Sequence, residues 1–330
     1  MPETDTKTKK EKPIGIDLST TSIKLVSLDE NNILEEYGIF DLPVSANDTD
    51  IILGLKGLLA KNFKSKDVVM GLRGLDVLTK LIKVKYGEYD EVEKQVEEIV
   101  KDILPVDRNE VEVSWEVIGQ ENEMVNLLLI IIPNSVIERY ERLITGAGLN
   151  ILAAEINSLA IKRALDYDSN QEIKMIVDIH ADETNIEIYN QSVLSLDKTI
   201  SIGGMQITRN MSKKMAISIP EAEKQKRTNT TISEKIFNES YKPVGDDILA
   251  EVGRVMSMAR LDYGIKVGYI GLSGGDFNAI EFREYFIDNL SEFAKTELSI
   301  PKAVESSLNI DKNSGDRLRL INAVGLAMKY

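Results

Sequence analysis

Residues 14–28 read IGIDLSTTSIKLVSL. In this stretch an apolar strand ends at Asp17, a hydroxyl-rich turn follows, and an alternating strand comes after the turn. Residues 175–189 repeat the same plan, with an aspartate at Asp178 and a polar turn that ends at Thr184. Each copy continues past a further turn into a third alternating run. The repeat predicts two similar lobes that face each other, with both aspartates at the cleft between them.

The composition is that of a globular protein of two moderate domains: 330 residues, of which 43% are hydrophobic and 28% are charged. A formal net charge of −14 argues against a nucleic-acid partner, since a polyanion would be repelled. The absence of cysteine excludes disulfides, thiolate nucleophiles and cysteine-based zinc sites. No apolar run approaches the ~20 residues of a membrane helix. We therefore expect a soluble, cytosolic protein without direct membrane insertion, with a disordered tail at residues 1–12.

A segment of about 70 residues within the first lobe, roughly residues 76–145, predicts an inserted subdomain of the order helix–strand–strand–helix. Its elements are a helix with a capping box at Asp90 and Glu93 that ends at Pro105, strands at 111–118 and 125–132, and a helix opened by Ser135 and Glu138 and ended by Gly146 and Gly148.

The remainder of the chain is expected to build the second lobe. The predicted elements are a helix from Ile151 to Leu165, the second set of three strands, a helical subdomain at about 214–265, a strand from Val267 to Leu272, a turn at 273–276 and further helix to the end. The predicted domains are therefore a first lobe at 13–165 and a second lobe at 166–330.

The first turn has the chemistry of a phosphate site. Hydroxyl-rich turns between short strands present backbone N–H and hydroxyl donors, and Lys24 could add a cation. Asp17, at the strand end, would hold Mg²⁺ through water, because Mg²⁺ gives up its hydration reluctantly. One such turn alone is more often a plain solvated hairpin. Its recurrence around Asp178 favours the phosphate site, since two facing carboxylates need a cation or a proton to share.

Two glycine pairs, Gly203-Gly204 and Gly274-Gly275, follow strands in the second lobe. Together with the two aspartate turns, they resemble the actin, heat-shock-70 and sugar-kinase superfamily. In that superfamily both aspartate turns grip phosphates, the first glycine pair touches the terminal phosphate and the second packs against adenosine. Within it, the chain resembles the PilM family of type IV pilus assembly over nearly its whole length. The segments that carry this resemblance are GIDLSTTSIKLV at 15–26, IPN at 132–134, GAGL at 146–149, GGMQITR at 203–209, EAEKQK at 221–226, GLSGG at 271–275 and NAVGLA at 322–327.

The resemblance implies an α/β, actin-like (ribonuclease-H-like) fold of two lobes with an inserted subdomain in the first. It implies ATP and Mg²⁺ bound between the lobes, and a cytoplasmic scaffold that reaches the inner face of the membrane by holding the N-terminal peptide of a PilN-like single-pass protein. The residues that it assigns to the nucleotide are Ser19, Thr20, Thr21, Ser22, Lys24, Thr184, Gly203, Gly204, Glu223, Lys226, Gly274 and Gly275, with Asp17 and Asp178 on the metal.

The chain departs from the family pattern at positions that bear on hydrolysis. His180 stands where the second phosphate turn normally has glycine, and an imidazole there could crowd or contact the terminal phosphate, or have no role. Ser19 replaces a usual glycine in the first turn. Asn157 takes the place of a Glu or Gln that positions the attacking water, and an amide cannot act as a base. We expect nucleotide binding with slow or absent turnover.

Two alternatives remain open at this point. A polymerising actin relative such as FtsA would share the inserted subdomain and would self-associate. A sugar or acetate kinase would need an acceptor-activating carboxylate, and no residue can be nominated for it. A P-loop enzyme is excluded, because the sequence has no Walker-A lysine motif.

Overall fold

The structure is a computed structural model that describes residues 11–43, 45–61, 63–104, 107–165, 173–190, 193–228, 230–312 and 314–330. The predicted tail therefore lies, apart from its last two residues, outside the described residues.

The first lobe is built on a five-stranded sheet. Its first three strands form an antiparallel meander, and the last two run parallel to the central strand. Every residue of the central strand is buried, as expected for a strand covered on both faces. The elements are β1 (Ile14–Leu18), β2 (Ser22–Leu28), β3 (Leu34–Asp41), α1 (Asp48–Leu59), β4 (Asp67–Leu72) and β8 (Asn150–Ile156), in the sheet order β3-β2-β1-β4-β8.

The second lobe repeats this sheet strand for strand. Its strands are β9 (Lys174–Ile179), β10 (Thr184–Asn190), β11 (Val193–Ile200), β12 (Tyr269–Ser273) and β13 (Lys295–Leu298), in the order β11-β10-β9-β12-β13. Asp17 and Asp178 are each the last residue but one of the central strand, β1 or β9. The predicted duplication, with an aspartate at the equivalent place in each lobe, is confirmed.

A three-stranded sheet separates β4 from β8 in the chain. It consists of β5 (Leu78–Lys85), β6 (Val111–Glu121) and β7 (Met124–Pro133) in the order β5-β7-β6. Helix α2 (Tyr89–Ile103) packs Val96 and Val100 onto one face, with Leu127 and Leu129 beneath, and this forms a separate core. We call the unit 78–133 the inserted sheet.

The opposite face of the inserted sheet rests on the second lobe. Leu128 and Ile130 share a buried cluster with Leu194 of β11. At the edge of this contact Thr79 donates a hydrogen bond of 3.1 Å to Asp197. Burial raises the pKa of Asp197 to about 6, against a usual value of 3.8, while the hydrogen bond from Thr79 acts in the other direction.

The order of elements in this region differs from the predicted helix–strand–strand–helix. Strand β5 precedes α2, and the second predicted helix, α3 (Asn134–Gly146), packs Tyr140, Leu143 and Ile144 into the first-lobe core. The predicted caps are also wrong. Helix α2 begins after Glu88, which makes no side-chain cap, and α3 begins directly after Pro133, the last residue of β7, so no polar residue outside the helix can cap it.

The predicted helix from Ile151 to Leu165 is wrong in its first half. Residues 150–156 form β8, which pairs in parallel with β4, and only then does α4 (Asn157–Ala164) begin. Its Ala-Ala-Glu run favours a helix, but pairing at the sheet edge overrides that weak preference. The strand predicted at Val267–Leu272 is β12, and the helical C-terminal part is interrupted by β13.

Helices cover the second sheet and close the chain. They are α5 (Gly204–Met215), α6 (Ile219–Thr228), α7 (Glu234–Ile236), α8 (Lys242–Tyr263), α9 (Ile280–Leu290), α10 (Lys302–Glu305) and α11 (Ile321–Ala327), with a π-helical turn at Phe237–Tyr241 between α7 and α8. Gly264 ends α8 with φ 66°, a left-handed conformation that glycine adopts without strain.

Helix α11 returns to the first lobe and packs unusually closely there. A methyl group on Gly15 of β1 would lie 1.9 Å from the carbonyl oxygen of Ala323, and one on Gly325 would lie 1.9 Å from that of Ala160 in α4. No side chain fits at either position, so both glycines are needed for the backbones to approach. The small residues of α11 thus anchor the end of the chain on β1 and α4.

Substituting Gly325→Ala should destabilise the fold, because the new methyl group meets backbone that cannot move aside. We expect the free energy of unfolding to fall by about 1–3 kcal/mol. The control is Gly253→Ala in α8, where nothing lies within 4 Å of the added methyl group. That variant should match or exceed the wild type by up to about 1 kcal/mol. Urea denaturation followed by circular dichroism measures both, and equal midpoints would contradict the packing described for α11.

Candidate functional site

A cleft of about 240 Å³ opens between the two lobes, where the turns after β1 and β9 face each other. Both lobes and the segment before α11 contribute to its walls. The side chains and glycines that matter here are Ser19, Thr21, Ser22, Lys24, Asp178, His180, Glu223, Lys226, Arg227, Gly274, Gly275, Asp276, Arg319 and Asn322.

The first turn is closed by its own serine. The Ser19 hydroxyl accepts from the backbone N–H of Ser22 at 3.0 Å and of Thr21 at 3.4 Å. Asp17 and Lys24 lie opposite each other on β1 and β2, and the Lys24 Nζ is 2.6 Å from Asp17 Oδ2. Both side chains are buried, and the Lys24 ammonium is the partner of the Asp17 carboxylate.

The second turn contains the corresponding pair, built from different residues. His180 Nε2 lies 2.8 Å from Asp178 Oδ2, and the Asn322 amide donates to the same oxygen at 3.1 Å. Burial alone would raise the pKa of Asp178, but the charge of His180 and the hydrogen bonds from His180, Ser273 and Asn322 together lower that pKa to about 2. Burial would lower the pKa of His180, whereas Asp178, with Asp17 and Glu183 behind it, raises it to about 9.

The predicted contacts at Thr184 and the first glycine pair lie behind the cleft wall. Thr184 is wholly buried and donates to the carbonyl of Ile202 at 2.7 Å. The Gly204 N–H donates to the His180 carbonyl at 2.8 Å, and the Gly203 N–H donates to a Gln206 side chain at 2.7 Å. These groups hold the second turn in place.

Glu223 and Lys226 of α6, which the family resemblance assigned to the nucleotide, line the cleft. Lys226 is 2.8 Å from Asp276 Oδ1 and 3.3 Å from Glu223, and it donates to the Gly204 carbonyl at 2.9 Å. Gly274 and Gly275 form the neighbouring wall. Gly274 has φ 119°, and a methyl group there would lie 2.2 Å from the carbonyl oxygen of Ile179, so only glycine fits.

Three residues that the sequence reasoning missed join the lobes across the cleft mouth. Asp41, at the end of β3, binds Arg227 of α6 and Arg319 from the segment before α11, each at 2.6 Å. Burial would raise the pKa of Asp41, but Arg319 and then Arg227 lower it. The positions are far apart in the chain, so no local pattern could have paired them.

A second set of contacts joins the second turn to the first lobe beside the cleft. The Thr20 hydroxyl donates to Asp182, while Glu183 accepts from the backbone N–H groups of Gly74 and Leu75 at 3.1 Å each. Both acids come from the second turn, and their donors come from the first lobe. The two turns that were predicted to bind phosphates therefore contact each other through Thr20 and Asp182.

Asn157 begins α4 beside the base of the first turn. Its side chain is buried and lines a space of about 10 Å³ together with Asp17, Thr20 and His180. Glu155, two residues earlier, is held by Arg163 at 2.6 Å and by Lys329 at 2.6 Å. The position predicted to handle water thus has an amide near the turns and no free carboxylate.

The predicted metal ligands each have one carboxylate oxygen engaged within the protein. Asp17 Oδ2 is paired with Lys24, and Asp178 Oδ2 with His180 and Asn322. In the part of the chain that the structure describes, no three histidine or acidic side chains are grouped so as to hold a metal ion. A Mg²⁺ ion at this place would therefore have to bind through the second oxygen of each carboxylate, directly or through water.

A comparison with known families places this architecture. The family model described as type IV pilus assembly protein PilM matches residues 15–330. The chain belongs to the PilM family. It is therefore a type IV pilus assembly protein, as the sequence predicted, and the polymerising and kinase alternatives receive no support.

Solved structures agree on the actin-like fold. The chain is similar to a structure described as the PilM–PilN type IV pilus biogenesis complex, with a TM-score of 0.85 at 18% identity over 97% of this chain and 99% of that one. The ethanolamine utilization protein EutJ of Carboxydothermus hydrogenoformans gives a TM-score of 0.59 at 15% identity, over 97% and 90%. The archaeal actin homolog Ta0583 in complex with ADP gives 0.52 at 12% identity, over 96% and 98%.

The described helices of this PilM-family chain differ in length or composition from a membrane span. Within the described ranges, none combines the length and the apolar composition that crossing a bilayer requires.

The His180–Asp178 pair should give the protein a pH-dependent stability. The pKa of His180 is raised from 6.5 to about 9, so its stabilisation is complete below pH 6.5 and is lost as the pH rises through 9. We expect the wild type to lose on the order of 1–3 kcal/mol more than His180→Gln between these pH values. Denaturant titrations at pH 6 and 9.5 measure this difference. His180 is the single histidine of the chain, so identical losses in both proteins would refute the ion pair.

Proposed function

We propose that this PilM-family protein is a scaffold of the pilus assembly platform at the inner face of the cytoplasmic membrane. It binds ATP between its lobes and holds the N-terminal cytosolic peptide of a PilN-like membrane protein. The proposal that the protein binds ATP rests on the cleft. Hydroxyl groups of the first turn and cationic side chains of both lobes line this shared space.

The contents of the cleft suit a nucleotide better than an apolar ligand. Ser19, Thr21 and Ser22 offer hydroxyls on the side of the first lobe, and Gly274 and Gly275 allow a flat group to approach the opposite wall. The ADP complex of Ta0583 has the same fold, and we carry nucleotide binding from that fold to this chain as a proposal.

Turnover is expected to be slow. Phosphoryl transfer to water depends on a group that orients the attacking water, and Asn157 has only an amide to offer. Glu155, the nearest carboxylate in the sequence, is engaged with Arg163 and Lys329. We propose a protein that responds to nucleotide occupancy more than to hydrolysis.

ATP binding can be tested by thermal shift in the presence and absence of Mg²⁺. Ligand linkage predicts stabilisation of about 2.7 kcal/mol at ~100 times the Kd. Lys226→Met should reduce the shift, because its side chain is buried in the cleft wall, while the control Lys224→Met on the exposed face of α6 should not. No shift at millimolar ATP in protein freed of bound nucleotide would remove this half of the proposal.

The peptide half of the proposal rests on the outer edge of the first sheet. Among the described residues β8 is the last strand of this sheet, so one side of it has no neighbouring strand there. Beside it, a groove of about 470 Å³ is lined by Ile151 and by Glu138, Glu141, Arg142 and Thr145 of α3. An exposed strand edge is a template for an extended peptide, which would gain backbone hydrogen bonds from β8 and side-chain contacts from the groove.

Residue Leu152 marks this edge of β8, where it is 41% exposed. Leu152 is the extra residue of a β-bulge between Ile151 and Ala153, so a peptide along β8 would pass this exposed side chain as well as the groove. The solved PilM–PilN complex makes a PilN-like peptide the natural candidate for this occupant. We extend no nucleic-acid role to the chain. Self-association of copies is an alternative use of the same edge.

Calorimetry with the N-terminal peptide of a PilN-like membrane protein would test the partner. Leu152→Asp should weaken binding at least ~10-fold, since a charge would be desolvated at the contact. Leu308→Asp is the matched control, at a side chain that is 97% exposed elsewhere on the surface. Equal affinities of both variants would show that the peptide does not bind along β8. Undetectable binding by the wild type, with and without ATP, would refute the proposal that this protein binds a PilN-like peptide.

A further inference from the structure

We propose that a groove lined with lysines on the first lobe binds the anionic headgroups of a lipid bilayer. The inference rests on the proposed location at the membrane and adds a contact that does not pass through the peptide partner. The groove has a volume of about 350 Å³ and lies where α1 and α3 end. We call it the lysine groove. Its charged side chains are Lys56, Lys64 and Lys66, and apolar side chains beside them are Leu59, Phe63 and Leu149.

Every charged side chain that lines the lysine groove is a lysine. In a chain with 54 acidic and 40 basic residues, an acid would be the commoner lining residue. All three lysines are exposed. Lys64 is paired with Glu35 of β3, whereas Lys56 and Lys66 form no ion pair within the described ranges. The groove is therefore a positive site on a protein whose net charge is strongly negative.

A lysine near the end of a helix can also serve the helix itself, because cations stabilise helix C-termini. This accounts for Lys56, which stands in the last turn of α1, but not for Lys66, which lies between α1 and β4. Two carbonyl groups at the end of α1 have partners already: that of Lys56 accepts from the Ala60 N–H at 3.2 Å, and that of Leu58 accepts from the Lys61 N–H at 3.0 Å. The ammonium groups of Lys56 and Lys66 are thus available to an external anion.

An exposed leucine lies next to these cations. Leu53 of α1 is 61% exposed and precedes Lys56 by three residues, a spacing that makes two side chains neighbours on a helix surface. A bilayer takes both kinds of group at once, since lysines contact headgroup phosphates while a leucine enters the boundary with the acyl chains. A nucleic acid would bind the lysines and leave Leu53 in water. The combination favours a bilayer.

The lysine groove borders the proposed peptide site. The backbone N–H of Asn150, the first residue of β8, donates to the Lys66 carbonyl at 2.9 Å. Thr145 of the peptide groove and Ala147 of the lysine groove are two residues apart at the end of α3. A peptide that continues into a membrane-spanning segment would bring this face of the first lobe to the bilayer. Each contact then raises the effective concentration for the other.

Vesicle sedimentation tests the lipid contact with the full chain and without the peptide. A lysine near an anionic surface strengthens binding about fivefold and an inserted leucine about tenfold, so Lys56, Lys61, Lys66 and Leu53 together give an association constant on the order of 10³ M⁻¹. At several millimolar lipid the wild type should sediment with phosphatidylglycerol vesicles and stay in solution with phosphatidylcholine vesicles. About 0.5 M salt should release it, because the charges are then screened.

Two matched triple variants locate the contact. Changing Lys56, Lys61 and Lys66 together to glutamine leaves the Lys64–Glu35 pair in place and should weaken vesicle binding about 100-fold, below detection. The control changes three exposed lysines of the second lobe to glutamine and alters the net charge equally, but should leave the affinity within about threefold. Its positions are Lys213, Lys214 and Lys224. Circular dichroism checks that both variants are folded.

The source of the anion is tested in the same assay. Leu53→Gln should weaken vesicle binding about fivefold or more, whereas Leu261→Gln, at a side chain that is 81% exposed on α8, should not. Inorganic phosphate at millimolar concentration should displace no more protein than chloride of equal ionic strength. Displacement by phosphate alone would assign the groove to a soluble anion and overturn the bilayer contact.

The remaining outcomes separate this inference from the proposed function. No binding of the wild type to phosphatidylglycerol vesicles, or equal losses in the two triple variants, would overturn the lipid contact. Calorimetry of the groove variant with the PilN-like peptide should give the wild-type affinity, because its lysines lie outside the peptide groove. Peptide binding without vesicle binding would leave the partner proposal intact, and vesicle binding without peptide binding would support the lipid contact alone.

Discussion

The close packing of α11 onto β1 and α4 is the constraint on which the rest of the molecule depends. Gly15 and Gly325 let three backbones meet without intervening side chains, and this fixes α11 on the first lobe. The same helix places Asn322 at Asp178 of the second lobe, 3.1 Å from its carboxylate. This short helix therefore links the first lobe to the second turn. A shift of α11 would move the Asn322 amide relative to the Asp178 carboxylate.

Charge is balanced inside the cleft by residues of the protein itself. A buried carboxylate without a partner would cost several kcal/mol, so each acid in the cleft needs a cation or a proton. Asp17, Asp178 and Asp276 each have a cation within 2.8 Å. Glu187 on β10 lies outside the described cleft lining, and burial raises its pKa well above the usual value, while the hydrogen bond that it accepts from Tyr189 acts in the other direction. Anion binding here must compete with contacts that already exist.

The sequence predicted those features that depend on residues close together in the chain. The strand–turn–strand repeat around Asp17 and Asp178 was visible because alternation, a polar turn and an aspartate recur in the same order. Strand β8 was not, because its residues favour a helix and only pairing with β4 makes it a strand. Asp41 and its two arginines were equally hidden, since an ion pair between distant segments depends on how the lobes close. Placement of Lys226 in the cleft came from family resemblance, and the structure supplies its partners.

The inserted sheet has a consequence for how such proteins diversify. The chain enters it through β5 and leaves it through β7, and these strands are paired neighbours, with Leu78 opposite Ile131. Its two ends are therefore about one strand spacing apart, ~5 Å, close enough for a short turn to replace the whole unit. Exchange is nevertheless restricted on one side, because Leu128 and Ile130 cover β11. A replacement module must therefore preserve that apolar face to keep the contact with the second lobe.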